Sequence, residues 1–169
     1  ISVTGVQTCA LPISVDAPSD IVSEPLLEVT AFPACTSEIF AKHGATCDTE
    51  LELNDVSLLG VRDVPCLWSI WFGHDPQWRE NFNVKEFATL QLMYEAMAAG
   101  AGIGFAIPLV SEPYLSSGRI VRCSSRAIST GARYGIFRSR QHSAGLDIEN
   151  MFTKWLRAEV LASCGAQSQ

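Results

Sequence analysis

The sequence predicts an α/β protein, and three observations carry that expectation. Short β-prone runs alternate with amphipathic helical segments along most of the chain. The 169 residues are 47% hydrophobic, enough for one domain with a sizeable core or for two small lobes. Charged residues make up only 18%, which together with that apolar share excludes a disordered chain.

The elements follow in order. Residues 16–24 are polar and read as an irregular lead-in. Residues 26–32 are apolar and β-prone, a strand ending at Pro33. Thr36 or Ser37 can then cap a short helix over 38–43, which Gly44 terminates. Residues 51–59 read as one or two helical turns, punctuated by Asp55. Residues 68–72 are rich in aromatic side chains, and a polar loop over 73–81 follows. The most informative stretch is 87–123. A strand over 84–88 leads to Thr89, which can cap a helix over 90–99. There Leu90, Met93, Tyr94 and Met97 follow the i, i+3, i+4, i+7 spacing of one apolar face. Gly100 closes the helix. Residues 103–107 form a short continuous apolar run suited to a buried strand, stopped by Pro108. Ser111 starts another short helix, with Pro113 tolerated in its first turn and Gly118 at its end. Further strands are expected over 119–123 and 134–138. Asp147 then caps a long helix whose apolar stripe is Ile148, Phe152, Trp155, Leu156 and Val160. Strands alternating with helices predict a largely parallel sheet.

Charge and composition exclude several functions. The formal net charge is −6, with no basic stripe of the kind that tracks a duplex. No apolar run reaches the roughly 18 residues that span a bilayer, so no membrane partner is expected. The six Cys form no Cys-x-x-Cys pair, and His43, His74 and His142 share no ligand-like spacing with them. No metal and no cofactor are therefore expected, and the scattered thiols suit buried packing in a reducing compartment.

The glycines of 100–104 resemble a dinucleotide-binding loop only superficially. That fingerprint needs glycine at Phe105 and should open a helix, whereas here the glycines follow a helix and open a strand. They read as a helix end leading into a tightly packed strand. There is no Gly-x-Ser-x-Gly elbow, no P-loop and no spacing that selects a Ser/His/Asp triad. His142 sits in a polar turn. Cys35 lies near a helix start, which can lower a thiol pKa, so a small hydrolase or thiol enzyme stands as a lesser alternative. Two helix starts that follow strands directly, at Thr89 and at Thr36, matter more. Open amides and the helix dipole favour carboxylates or other anions there.

Residues 1–14 stand apart. They lack a positive leader region, and Gly5 and Pro12 interrupt the apolar stretch, which argues against a signal peptide. Residues 3–13 resemble the in-frame translation of a sequencing-adaptor oligonucleotide. They are expected to be non-native, with the native start missing, although Val3, Val6 and Leu11 also permit a genuine strand.

The run from Phe87 to Pro108, followed by Leu115-Ser-Ser-Gly-Arg-Ile-Val121, resembles the effector-binding domain of LysR-type transcriptional regulators. Tyr134-Gly-Ile-Phe137 and Met151-Phe-Thr-Lys-Trp-Leu156 resemble its returning strand and last helix. Leu26 to Ser37 resembles its entry into the second lobe, with Glu38 where Pro is usual. Residues 68–72 resemble the glycine-cleavage-activator-like branch. The resemblance runs through nearly all of residues 24–162.

It implies a type 2 periplasmic-binding-protein-like fold of two lobes, lobe II largely complete and lobe I partial. The implied layout is a lead-in or crossover over 15–30, lobe II over 31–127, the returning strand and helix of lobe I over 128–163, and a tail over 164–169. It further implies a cytoplasmic, non-enzymatic sensor of a small-molecule effector, anionic in one version. DNA contact would come only through a helix-turn-helix domain missing here, and the intact protein would be a homo-oligomer. By resemblance Thr89 and Leu90 face the effector, with Thr36 a weaker candidate. A stand-alone solute-binding protein of the same fold is the alternative.

Overall fold

A computed structural model describes residues 21–43, 53, 56–62, 66–75, 77–139 and 146–165. The segment 1–14 and His142 lie outside the described residues. The chain divides into two compact units. One is the uninterrupted stretch Thr30–Thr130; the other joins Ile1–Val29 to Gly131–Gln169. Two strands cross the boundary between them, β1 (Ile21–Cys35) and β6 (Ile128–Ser139), and these two pair with each other.

Within Thr30–Thr130 the order is α1 (Ser37–His43), β2 (Leu58–Val61), α2 (Leu67–Trp71), α3 (Trp78–Asn81), β3 (Val84–Phe87), α4 (Leu90–Ala98), β4 (Gly104–Ala106), α5 (Pro108–Ser116) and β5 (Val121–Arg122). β2 and β3 pair in parallel, Leu58 opposite Val84 through Val61 opposite Phe87. A parallel bridge between Leu58 and Ile103 joins this pair to β4. It is held by the Ile103 amide on the Ser57 carbonyl and the Leu59 amide on the Ile103 carbonyl. β1 pairs antiparallel with both β4 and β5.

The expected largely parallel sheet is therefore corrected. β2 to β5 share one direction, but β1 runs against them between β4 and β5. Residues 84–106 make a strand–helix–strand crossover, which yields parallel strands, here β3 and β4 on either side of β2. β1 enters this unit from the other and has no such crossover behind it.

Pro33 does not end β1, which carries on to Cys35. In an extended chain a residue's N–H and C=O point to the same edge. The Pro33 carbonyl accepts the Cys123 amide at 2.9 Å, so the donor that proline lacks faces the β5 side, where β5 has only two residues. Pairing with β4 is untouched.

The sheet is covered on both faces. On one face α4 and α5 close a core of Phe32, Ala34, Leu59, Met93, Tyr94, Met97, Ala106 and Ile120. On the other an aromatic layer packs on Phe105. Trp68 and Trp71 lie 4.5 and 5.8 Å from its ring, and Phe72 stacks on Trp68, Trp78 and Phe82. The Trp68 indole N–H donates to the Leu59 carbonyl at 3.0 Å, so the buried ring carries no unsatisfied donor.

Several local expectations change. The lead-in over 16–24 gives way to strand from Ile21. Within 51–59 the described residues end in β2 rather than helix, because Leu58 and Leu59 are both buried on a sheet covered on two sides. The loop over 73–81 ends in the short α3, which buries Trp78. α5 begins at Pro108, with Ile107 as its N-cap. Ser111 is thus inside the helix, fully buried, its hydroxyl donating to the Ile107 carbonyl at 2.8 Å. Pro113 lies beyond the first turn. Only Val121 and Arg122 of 119–123 are strand.

In the other unit β6 is longer than the 134–138 expected, and α6 spans Leu146–Gly165. α6 starts one residue before Asp147, which is therefore not its cap, and it runs two residues into the expected tail. Arg133 pairs with Glu28 at 3.7 Å and Arg157 with Glu24 at 3.1 Å. Phe152 and Trp155 do not join a buried stripe. Both are exposed and pack on each other with ring centroids 5.7 Å apart, while Thr153 is the buried residue of that turn.

Candidate functional site

The carboxyl ends of β2 to β5 converge on one end of the sheet in Thr30–Thr130. In open α/β sheets this is where ligands bind. Thr89 stands there with extended backbone (φ −142°, ψ 157°), one residue after β3. Its Oγ1 accepts the Leu92 amide at 3.2 Å, and its carbonyl accepts the Met93 amide at 3.1 Å. Helix geometry leaves the amides of Leu90 and Gln91 as the open donors of that turn. The helix dipole adds partial positive charge at the same place. Thr89 is exposed and Leu90 half-buried. Arg62 was not singled out from the sequence. Its amide donates to the Phe87 carbonyl at 2.9 Å, which puts it at the register position beside Ala88. The signal was there to read, a cation directly after a buried apolar run.

Thr36 is not brought together with Thr89. β1 runs against the other strands, so its end points to the opposite end of the sheet. Thr36 is buried there, its Oγ1 accepting the Ile39 amide at 3.4 Å. The sequence shows that each threonine follows a strand, but not that the two strands are opposed.

A cavity of about 380 Å³ opens between α4 and α5, lined by Gln91, Tyr94, Val110, Pro113, Tyr114 and Arg119. At its rim Glu95 accepts from Tyr114 and from Arg119, each at 2.7 Å, and the Arg119 guanidinium lies 5.0 Å from the Tyr114 ring centre. The Arg119 hydrogen bond, helped by the Tyr114 hydroxyl, holds the Glu95 carboxyl below the usual carboxylate range. Glu95 in turn pushes Tyr114 and Arg119 up. All three groups are solvent-exposed, so this trio fastens α4 to α5 without perturbing a buried charge.

Cys35 is fully buried, with its sulfur 3.1 Å from that of Cys123. The hydrogen bond with Cys123 lowers the Cys35 pKa; burial opposes this, and the Phe40 amide adds to the lowering. Among the described residues no group of three His, Cys, Asp or Glu side chains converges as a metal site, and no helix is long and apolar enough to cross a membrane.

No protein-family profile matches the chain, and no curated protein sequence matches it. Solved structures do. A Citrobacter freundii effector-binding domain carrying three substitutions is 25% identical, with a TM-score of 0.62, over 84% of this chain and 69% of that one. The effector domain of the transcriptional regulator AmpR of Pseudomonas aeruginosa is 23% identical, with a TM-score of 0.64, over 89% and 70%. The full-length LysR-type regulator LysG from Corynebacterium glutamicum, solved with bound effector Arg, is 14% identical, with a TM-score of 0.55, over 79% and 45%. The chain has the α/β, type 2 periplasmic-binding-protein-like fold of these effector-binding domains.

Proposed function

We propose that this chain is the small-molecule-sensing portion of a LysR-type transcriptional regulator, of the glycine-cleavage-activator-like branch. Residues 31–127 are its lobe II and residues 128–163 its contribution to lobe I. Residues 1–14 are adaptor-derived. The protein works in the cytoplasm, as a homo-oligomer when intact, and catalyses no reaction. DNA contact belongs to the helix-turn-helix domain that the resemblance implies, not to this acidic chain.

One observation carries the site assignment. The capped start of α4 lies at the carboxyl end of β3, and it presents the Leu90 and Gln91 amides beside Thr89. Such a turn takes the carboxylate or another anionic group of a small metabolite, with Arg62 adding charge from the neighbouring strand. Thr36 drops out of this site because it caps α1 at the other end of the sheet.

Millimolar acetate, succinate and the amino acids, added separately to the 15N-labelled chain, test the assignment. Carboxylates are expected to move the Leu90 and Gln91 amide resonances, and Thr89→Ala to weaken that response. Shifts concentrated at residues 37–39, or no carboxylate-dependent shift at all, would reject it.

A further inference from the structure

Cys35 and Cys123 meet inside Thr30–Thr130, and nothing in the proposed site uses them. Cys35 is the last residue of β1, paired with Val121, and Cys123 follows β5, its amide donating to the Pro33 carbonyl at 2.9 Å. They are thus diagonal neighbours on one face of an antiparallel ladder. Their sulfurs are 3.1 Å apart, both residues are at most 1% exposed, and neither is in a disulfide. A disulfide needs a sulfur separation of about 2.05 Å, so closure asks each sulfur to move by only about half an ångström.

We propose that Cys35 and Cys123 are an oxidisable dithiol that hydrogen peroxide converts into a disulfide joining β1 to β5. Cys35 is the attacking sulfur, because the Cys123 hydrogen bond and the Phe40 amide favour its thiolate. Its sulfur attacks one peroxide oxygen; an S–O bond forms, the O–O bond breaks, and the departing hydroxide takes a proton and leaves as water. The Cys123 sulfur then attacks the sulfenic sulfur of Cys35. The S–S bond forms, the S–O bond breaks, and a second water leaves with the Cys123 proton. Two thiols lose two electrons and one peroxide gains them.

The product grips the chain at a telling place. Cys123 opens the turn through which the chain leaves this unit. That turn is tied by Arg122 to the carbonyls of Ser124 and Ser125, and by the Arg126 amide to the Ser124 hydroxyl. The bond also closes a long loop, since the two cysteines are 88 positions apart. Oxidation therefore stiffens β1, β5 and the exit turn together. This inference does not depend on which effector the chain senses.

The full chain, reduced and then treated with hydrogen peroxide, supplies the test. After unfolding in N-ethylmaleimide and digestion with trypsin and endoproteinase Glu-C, which separates Cys35 from Cys9, the tetrapeptide Cys123-Ser-Ser-Arg126 is expected linked to the Cys35 peptide. The linked species should lack two hydrogens and be released by dithiothreitol. Its melting temperature should rise by about 5 °C or more on oxidation. Cys35→Ser and Cys123→Ser should abolish both the link and the rise. Full alkylation of both cysteines after peroxide treatment would overturn the proposal, as would linkage of either one to a different cysteine. The peptide map of the unsubstituted chain decides the matter even if a serine variant folds poorly.

Discussion

Gly102 has φ +155°, and a Cβ there would lie 2.0 Å from the Ser57 carbonyl oxygen. That oxygen accepts the Ile103 amide in the bridge between β2 and β4. Gly102→Ala should therefore cost about 3 kcal/mol or more, read from urea unfolding. At Gly104 the clash is with the end of the flexible Met97 side chain, so Gly104→Ala should cost less, about 1 to 2 kcal/mol. The sequence allowed this cluster to be read as a helix-to-strand junction, because glycine order relative to helix and strand is a local property. It could not say that Ser57, 45 positions earlier, is what excludes a side chain at 102. Glu95 offers a second test. Its pKa is lowered in the fold, so the stabilisation it gives is present at neutral pH and lost as pH falls through that lowered value. The melting-temperature gap between the wild-type chain and Glu95→Gln should thus be small and positive at neutral pH and close below the usual carboxylate range. Added salt should narrow it as well, because the pair is exposed.

Among the elements, α4 was legible almost residue by residue. Its apolar spacing, its threonine cap and its closing Gly100 are all local signals, and they agree. α6 was legible as a helix but not as a face. A 3.6-residue period groups Phe152 and Trp155 with Leu156, yet the fold buries Thr153 and leaves Met151 71% and Trp155 56% exposed. Which face is covered depends on neighbours that periodicity does not see. A cluster of three large exposed apolar side chains on one helix favours association. Trp155→Lys should leave stability within about 0.5 kcal/mol while reducing self-association in sedimentation velocity at high protein concentration. A strong loss of stability would show instead that the indole packs against this chain. β2 was misread as helix because a short apolar run has no period of its own, and only burial on both sheet faces resolves it.

For the molecule as a whole, the fold class could be read from alternation and composition, but strand direction could not. The sense of β1 depends on its arriving from the other unit, and that reversal separates Thr36 from Thr89. Among the described residues the core cluster and the aromatic layer both belong to Thr30–Thr130. Hydrogen exchange should therefore protect the amides of β2, β4 and α4 more strongly than those of α6 and the outer part of β6. Equal protection in the two units would contradict this. The divided make-up of Ile1–Val29 with Gly131–Gln169 also bears on synthesis. A ribosome delivers Thr30–Thr130 as one finished stretch. The outer half of β1, made earlier, has to wait about 100 residues for β6, a delay of about 5 to 20 s at elongation rates of about 5 to 20 residues per second. Over that interval residues 21–29 are a strand edge without their β6 partner, a form prone to pair with other chains. The nascent chain, rather than the finished protein, is where a chaperone would find its work.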